Sequence, residues 1–458
     1  MTQPHLKGEY YCKKGILETF FLFIGIFILS YVIKGAYFCV INLNVDNMIK
    51  RLFFFLAVLL NVLFLFAQKE EAVVGKVNGL KDIEVACYYF PNYHTRSKDD
   101  PRISNQHWEN WSEWELVKRA KPRFEGHHQP NVPAWGYTDE KDPKVMKKKI
   151  QVAVEHGIDV FIFDWYNYNG KPFLNRCLDE GFLHAKNCQR IKFALMWANH
   201  DWQDLYPYTL GEEPDWLYSG KVTSESFDKI GDELIRNYFT QPNYWKIDGK
   251  AYFSIYDIQK FIEGFGSLEA TRKNMDQLRE KAVKAGLNGV HWNLIAWGMP
   301  ILSAQDAPKD IPSLIKVLGF DSATSYVWIH HAWLDKPQTD YNYVRDQYFA
   351  HWEKARKTYN VPYYPNVTMG WDPTPRTNQD KPWKGNQMYP YTNIIGNNTP
   401  ENFRKALQMT KEVLLNNPDS PNILNINCWN EWTEGSYLEP DMVHGTAYLD
   451  VVKEVMGE

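Results

Sequence analysis

The sequence predicts an α/β fold: a (β/α)8 TIM barrel with long βα loops, forming a single domain. Three observations carry this. From residue 83 onward, eight short apolar runs of strand type alternate with longer amphipathic stretches. Near-continuous apolar strands separated by helices mean a parallel sheet covered on its faces. Eight such units in about 370 residues fit a barrel with insertions. The alternative is an open doubly wound sheet. No GxGxxG or GxxxxGK[ST] pattern follows any strand, which removes the main nucleotide-binding reason for that choice.

The strands are expected at Ile83–Phe90, Asp159–Trp165, Lys192–Trp197, Ala251–Tyr256, His291–Ala296, Asp321–Tyr326, Tyr364–Met369 and Ile423–Cys428. Helices are expected at Pro143–His156, Ser224–Tyr238, Leu268–Ala285, Tyr341–Tyr359 and Pro400–Leu415. The first ends at Gly157, a position where glycine stops helices. The last starts with Thr399 as cap and Pro400 in its first turn. No fixed-period repeat, low-complexity segment or second domain is visible.

The first 67 residues differ in kind. Phe20 to Ile33 is apolar, and Lys50-Arg51 precedes an apolar run, Leu52 to Ala67. A basic start, an apolar stretch and a small final residue make a secretory signal peptide over residues 48–67. Cleavage after Ala67 leaves residues 68–458 as the (β/α)8 domain, expected to be secreted or periplasmic. Residues 1–47 are read as a spurious extension ahead of a true start at Met48. The less favoured alternative is membrane anchoring through residues 16–66.

Net charge is -4, so nothing draws the chain to nucleic acid. Of six cysteines, Cys87, Cys177, Cys188 and Cys428 follow the signal, none in CxxC spacing. That spacing, and the lack of EF-hand or HExxH patterns, predicts no metal and no cofactor. Cys177 and Cys188 either bridge in an oxidising compartment or stay as thiols.

Aromatic residues make up 16% of the chain, and all 18 Trp lie after residue 67. Some must be core, but so many suggest flat platforms on which sugar rings stack. The placement supports this, because barrel active sites sit at the C-terminal ends of the strands. Nearly every such end carries an aromatic with an amide or carboxylate: Tyr89, Asp164-Trp165, Asn199 with Trp202, Tyr256, Trp297, Asp372 and Asn430-Glu431. The first βα connection, about 91–142, is long and carries Trp108, Glu113, Trp114, His127 and Gln129. Long ordered loops are usually functional. In Asn430-Glu431-Trp432-Thr433-Glu434-Gly435, two carboxylates follow an apolar strand, three residues apart. Paired carboxylates in unlike surroundings are the equipment for glycosidic bond cleavage. The plainer reading is a solvated loop, which two flanking Trp disfavour. Trp432 is expected to wall the pocket and raise the acid's pKa by desolvation. Asp372 and Arg376 are either substrate contacts or a loop-holding ion pair.

Several ordered motifs carry a family resemblance over about 83–441: Trp111-Ser112-Glu113-Trp114, Gly126-His127-His128-Gln129-Pro130, Trp197-Ala198-Asn199, Gly370-Trp371-Asp372 with Arg376, and the Glu431/Glu434 segment. The chain resembles the glycoside hydrolase family 99-like group, also called WbsX-like and related to endo-α-mannosidases. The resemblance implies a barrel and retaining hydrolysis. Glu431 is implied as base on the sugar 2-hydroxyl, giving a 1,2-anhydro intermediate, and Glu434 as acid/base. His200 and Asp164 depart from the family pattern, which carries an acid and an aromatic there.

The expected function is a secreted glycoside hydrolase acting on a polysaccharide or oligosaccharide, possibly α-mannoside-type. A polysaccharide-building glycosyltransferase and a non-catalytic glycan-binding barrel are the alternatives. No nucleic acid and no stable membrane partner after signal cleavage is expected.

Overall fold

The computed structural model describes residues 83–97, 109–204, 206–302, 308–417 and 421–457. Residues 1–67, which hold the expected signal segment and the expected extension, and Trp108 lie outside the described residues. The barrel strands are β1 (Glu84–Tyr89), β2 (Val160–Tyr168), β3 (Lys192–Trp197), β4 (Lys250–Ile255), β5 (Val290–Ile295), β6 (Ser322–Thr324), β7 and β8 (Ile423–Asn427). β7 comes in two pieces, Tyr363–Tyr364 and Asn366–Thr368. The interruption is Pro365, which has no N–H to give a ladder. The first piece pairs with β6 and the second with β8, so the sheet comes round on itself through this broken strand. All neighbouring pairs around the barrel are parallel. The expected barrel is therefore the observed one. β6 stops at Thr324, short of the expected Tyr326, and the chain then turns into the mouth.

The five expected helices are present: Pro400–Leu415 has the expected ends, and Pro143–Glu155, Ser224–Leu234, Leu268–Lys284 and Tyr341–Thr358 each stop one or more residues short of the expected end. Asp142, Thr223, Ser267, Asp340 and Thr399 cap them through side-chain acceptors. Ile258–Phe265, Ile311–Leu318 and Ala447–Met456 are further helices, too short for their periodicity to stand out.

The core lies in two shells. Side chains alternate along a strand, so one set fills the barrel and the other meets the helices. On β2, the Trp165 ring meets Trp197, Tyr238 and Phe253 on the helix side. Its neighbours Asp164 and Tyr166 line the barrel mouth. On β1, Tyr89 packs on Phe161 and Phe163 and donates its hydroxyl to Glu140 Oε1 at 2.9 Å.

Beside Tyr89 sits a buried ion triad. Lys149 Nζ lies 2.5 Å from Glu140 Oε1 and 2.6 Å from Glu439 Oε1, with all three side chains almost fully enclosed. Burial alone would lower the lysine pKa, but the two carboxylates raise it, so it stays charged. The triad ties helix Pro143–Glu155 to the turn after β8, because Asn430 Nδ2 also donates to Glu140 and Trp432 Nε1 to Glu439. Cys87, Cys177, Cys188 and Cys428 are all free thiols, so the Cys177–Cys188 bridge is not formed.

Candidate active site

Among the described residues, one guanidinium, that of Arg376, lines the barrel-mouth cleft among several carboxylates. β8 ends at Asn427, and Asn430–Glu431 forms a short hairpin with Ser436–Tyr437 around a tight turn. Gly435 closes that turn with φ +63°, and a Cβ there would sit 2.8 Å from Asp372 Cβ. Only glycine meets both demands. The turn brings both glutamates to Arg376, which arrives from the connection after β7. Arg376 Nη2 donates to Glu431 Oε1 at 2.7 Å, Nη1 to Glu434 Oε1 at 2.5 Å, and Nε to Glu113 Oε1 at 3.2 Å. Its guanidinium carbon lies over the Phe90 and Tyr206 rings, 5.3 and 5.0 Å from their centroids.

The oxygens that remain are informative. Glu434 Oε1 also accepts the Tyr389 hydroxyl at 2.5 Å. Two donors on Oε1 leave Oε2 as the oxygen able to carry a proton. Glu431 Oε2 lies 3.5 Å from the Tyr326 hydroxyl, which donates at 2.8 Å to Asp164 Oδ2. Asp164 Oδ1 is buried without a hydrogen-bond partner.

Burial raises the pKa of Glu431 well above the ordinary range, Glu434 adds to this, and Arg376 opposes it. Burial raises Glu434 too, against Arg376 and Tyr389. The two titrate as a pair, one proton affecting the other. Burial lifts Asp164 strongly, with the Tyr326 hydroxyl working against it. Arg376 stays cationic: burial disfavours its charge, but Tyr389 and the three glutamates more than restore it.

A raised carboxylate pKa has a definite stability sign. The folded state prefers neutral Asp164, so stability from this group is present below about pH 4, the unfolded value, and lost as pH rises towards the folded pKa. Asp164→Asn is therefore expected to melt higher than the parent at pH 8 and level with it near pH 4. Equal melting temperatures at both pH values would show that Asp164 is solvated.

The expected site residues divide. Asp164, Trp202, Tyr256, Arg376, Glu431 and Glu434 line the cleft, and Glu113 joins it through Arg376. The others do not face it. Tyr89 and Trp165 point to the helix layer, as strand alternation requires. Trp297 donates to the Tyr256 carbonyl at 2.9 Å and stacks on His330. Asn199 clamps the Asp257 backbone from both sides, at 2.7 and 2.8 Å. Asn430 does the same for Phe90, at 2.8 and 2.9 Å. Trp114 packs between Tyr93, Tyr137 and Trp432. Trp432 stacks on Tyr437 at 3.8 Å, so it buttresses the turn and does not wall the carboxylates. His127 and Gln129 both bond Asp372 Oδ2, at 2.9 and 2.6 Å, and lie outside this cleft. Arg376 pairs with glutamates and not with Asp372.

Trp202 is the one of the three expected platforms that lines the cleft. Trp202→Ala should weaken saccharide binding with a small stability loss. Trp165→Ala should cost about 3–5 kcal/mol, as for other buried Trp truncations. Thermal melts and saccharide titrations of both variants check this contrast.

Sequence reasoning passed over Tyr206 and Tyr389, which sit in irregular loops. A signal existed: Tyr-Pro-Tyr occurs at 206–208 and again at 389–391. The two copies meet ring to ring, Tyr206 with Tyr389 and Tyr208 with Tyr391.

Residues 85–452 match the family model described as Glycosyltransferase WbsX. The uncharacterized protein WxcX of Xanthomonas campestris pv. campestris strain B100 is 26% identical over 410 residues, which cover 85% of this chain and 53% of that protein. The chain thus spans about half the length of the curated relatives it matches. Among solved structures, the GH99 endo-alpha-mannosidase from Bacteroides thetaiotaomicron is 14% identical, covering 82% of this chain and 97% of that one, with a TM-score of 0.47. A glycoside hydrolase-like protein is 14% identical, covering 84% and 98%, with a TM-score of 0.49. The match over residues 85–452 takes in all eight barrel strands but for Glu84 at the start of β1, and the chain belongs to the WbsX glycosyltransferase family.

Proposed function

We propose that the protein is a retaining glycoside hydrolase that cleaves a glycan at the barrel mouth with Glu431 and Glu434. The observation that carries this is the shared guanidinium: one Arg376 binds both carboxylates. A guanidinium that reaches both carboxylates holds them at one end of the cleft, close enough for one to act at the 2-hydroxyl and the other at the glycosidic oxygen of the same sugar. In the first step, Glu431 takes the proton of the sugar 2-hydroxyl, whose oxygen attacks C1. Glu434 gives its Oε2 proton to the departing glycosidic oxygen. In the second, Glu434 takes a proton from water, the water oxygen attacks C1 of the 1,2-anhydro sugar and breaks the C1–O2 bond, and Glu431 returns the proton to O2. Burial favours the protonated form that Glu434 needs. Asp164 and Trp202 are the proposed contacts that orient the ring.

The family's name favours a second reading, transfer of a sugar to a growing polysaccharide. One experiment separates the two. The purified protein is incubated with α-mannans and deoxyhexose-containing polysaccharides, with no sugar nucleotide, and products are followed by proton NMR. Release of a reducing end in the substrate's anomeric form is the expected result. An inverted first product would overturn the two-step mechanism, and no release from any polymer would favour transfer. Export through residues 48–67 is part of this proposal, and N-terminal sequencing should find a chain beginning at Gln68.

A further inference from the structure

The family motifs gathered from the sequence do not all meet at the glutamate pair. His127 and His128, Trp371 and Asp372, and Gly435 with Tyr437 converge on a second cavity of about 320 Å³. The glutamate cleft is smaller, about 80 Å³. Trp371 lines both, and the step from Glu434 to Gly435 passes from one to the other. The dividing wall is thus little more than one residue thick.

We infer that this second cavity is a non-catalytic glycan site, which holds a sugar unit of a saccharide ligand beside the cleavage site. The inference rests on the glycan-processing reading above.

The chemistry of the walls selects a neutral, hydroxyl-rich ligand. Both carboxylates in the cavity are already engaged. Asp372 accepts from His127, Gln129 and Thr374. Asp441 accepts from the Tyr437 hydroxyl at 2.9 Å and lies 3.1 Å from His444 Nδ1. Neither is left to call for a cation, and no group of three or more metal-binding side chains occurs among the described residues. The rest of the lining includes the largely buried rings of Trp371, Tyr437 and Tyr448, with Gln338, Asn397 and Asn398 beside them; the amide nitrogens of Asn397 and Asn398 already go to Asp340 and the Met369 carbonyl. Aromatic faces with a few convergent polar groups make a saccharide site, and the volume is in the range of ligand pockets.

Two methionines make the test direct. Met369 lines the second cavity and Met196 the glutamate cleft. The full chain is labelled with ¹³C-methyl methionine and titrated with α-linked mannobiose, mannotriose and mannotetraose, then with cello- and xylo-oligosaccharides. A saturable shift of the Met369 methyl is expected with at least one series, at millimolar or lower concentration. Gln338→Trp, which fills the cavity edge, should abolish that shift and leave the Met196 response in place. A Met196 shift without a Met369 shift overturns the second site and leaves the proposed function standing. A Met369 shift that survives Gln338→Trp overturns the second site as well, since the ligand is then elsewhere. Silence of Met369 throughout the panel overturns it too, and silence of Met196 alone counts against the cleft and not against the cavity.

Discussion

Glu431→Gln and Glu434→Gln should each lower turnover by about 10²–10⁴-fold, the usual worth of a positioned proton donor or acceptor. Each substitution keeps the shape and the Arg376 contact but removes proton transfer, so saccharide binding should survive. The two differ in one respect. Glu434→Gln removes the acid, and an aryl glycoside with an activated leaving group needs no acid. Its loss should shrink on such substrates, whereas that of Glu431→Gln should not. Turnover against pH should be bell-shaped, because the mechanism needs one of the two carboxyls ionised and the other protonated. Burial raises both pKa values, so both limbs should lie above those of exposed carboxylates. Full activity of either variant on a polymer that the parent cleaves would end the mechanism.

A stability effect as large as that of Trp165→Ala is expected at Lys149. Lys149→Ala leaves Glu140 and Glu439 buried with no countercharge, and losing one partner of a buried ion cluster costs about 3–5 kcal/mol. Denaturant titration monitored by tryptophan fluorescence measures it. The damage should reach the site, because Glu140 also holds Asn430 at 2.9 Å, next to Glu431. A loss under about 1 kcal/mol would be that of a hydrated surface pair and would remove the triad from any part in positioning the turn.

The eight-stranded barrel and the glutamate pair were legible in the chain itself. Apolar runs and helix caps are local signals, and a parallel barrel sends every strand's C-terminal end to one mouth. Glu431, Glu434, Asp164, Trp202 and Tyr256 could be placed there from position alone. What stayed hidden was side-chain direction. Strands buried on both faces show no apolar–polar alternation, so nothing in Phe163-Asp164-Trp165-Tyr166 says which residues look inward. Hence Trp165 and Tyr89 were expected in the cleft and belong to the helix interface.

Contacts between distant segments were hidden for another reason. Arg376 meets Glu113 across 263 residues and Glu434 across 58, and Tyr389 reaches the same carboxylate from an irregular loop. His127 and Gln129 satisfy Asp372 in a different cavity. Residue type and spacing along one chain say which groups are available for chemistry. Which of them share a proton, a cation or a wall depends on loop paths, and those are fixed only by packing of the folded barrel.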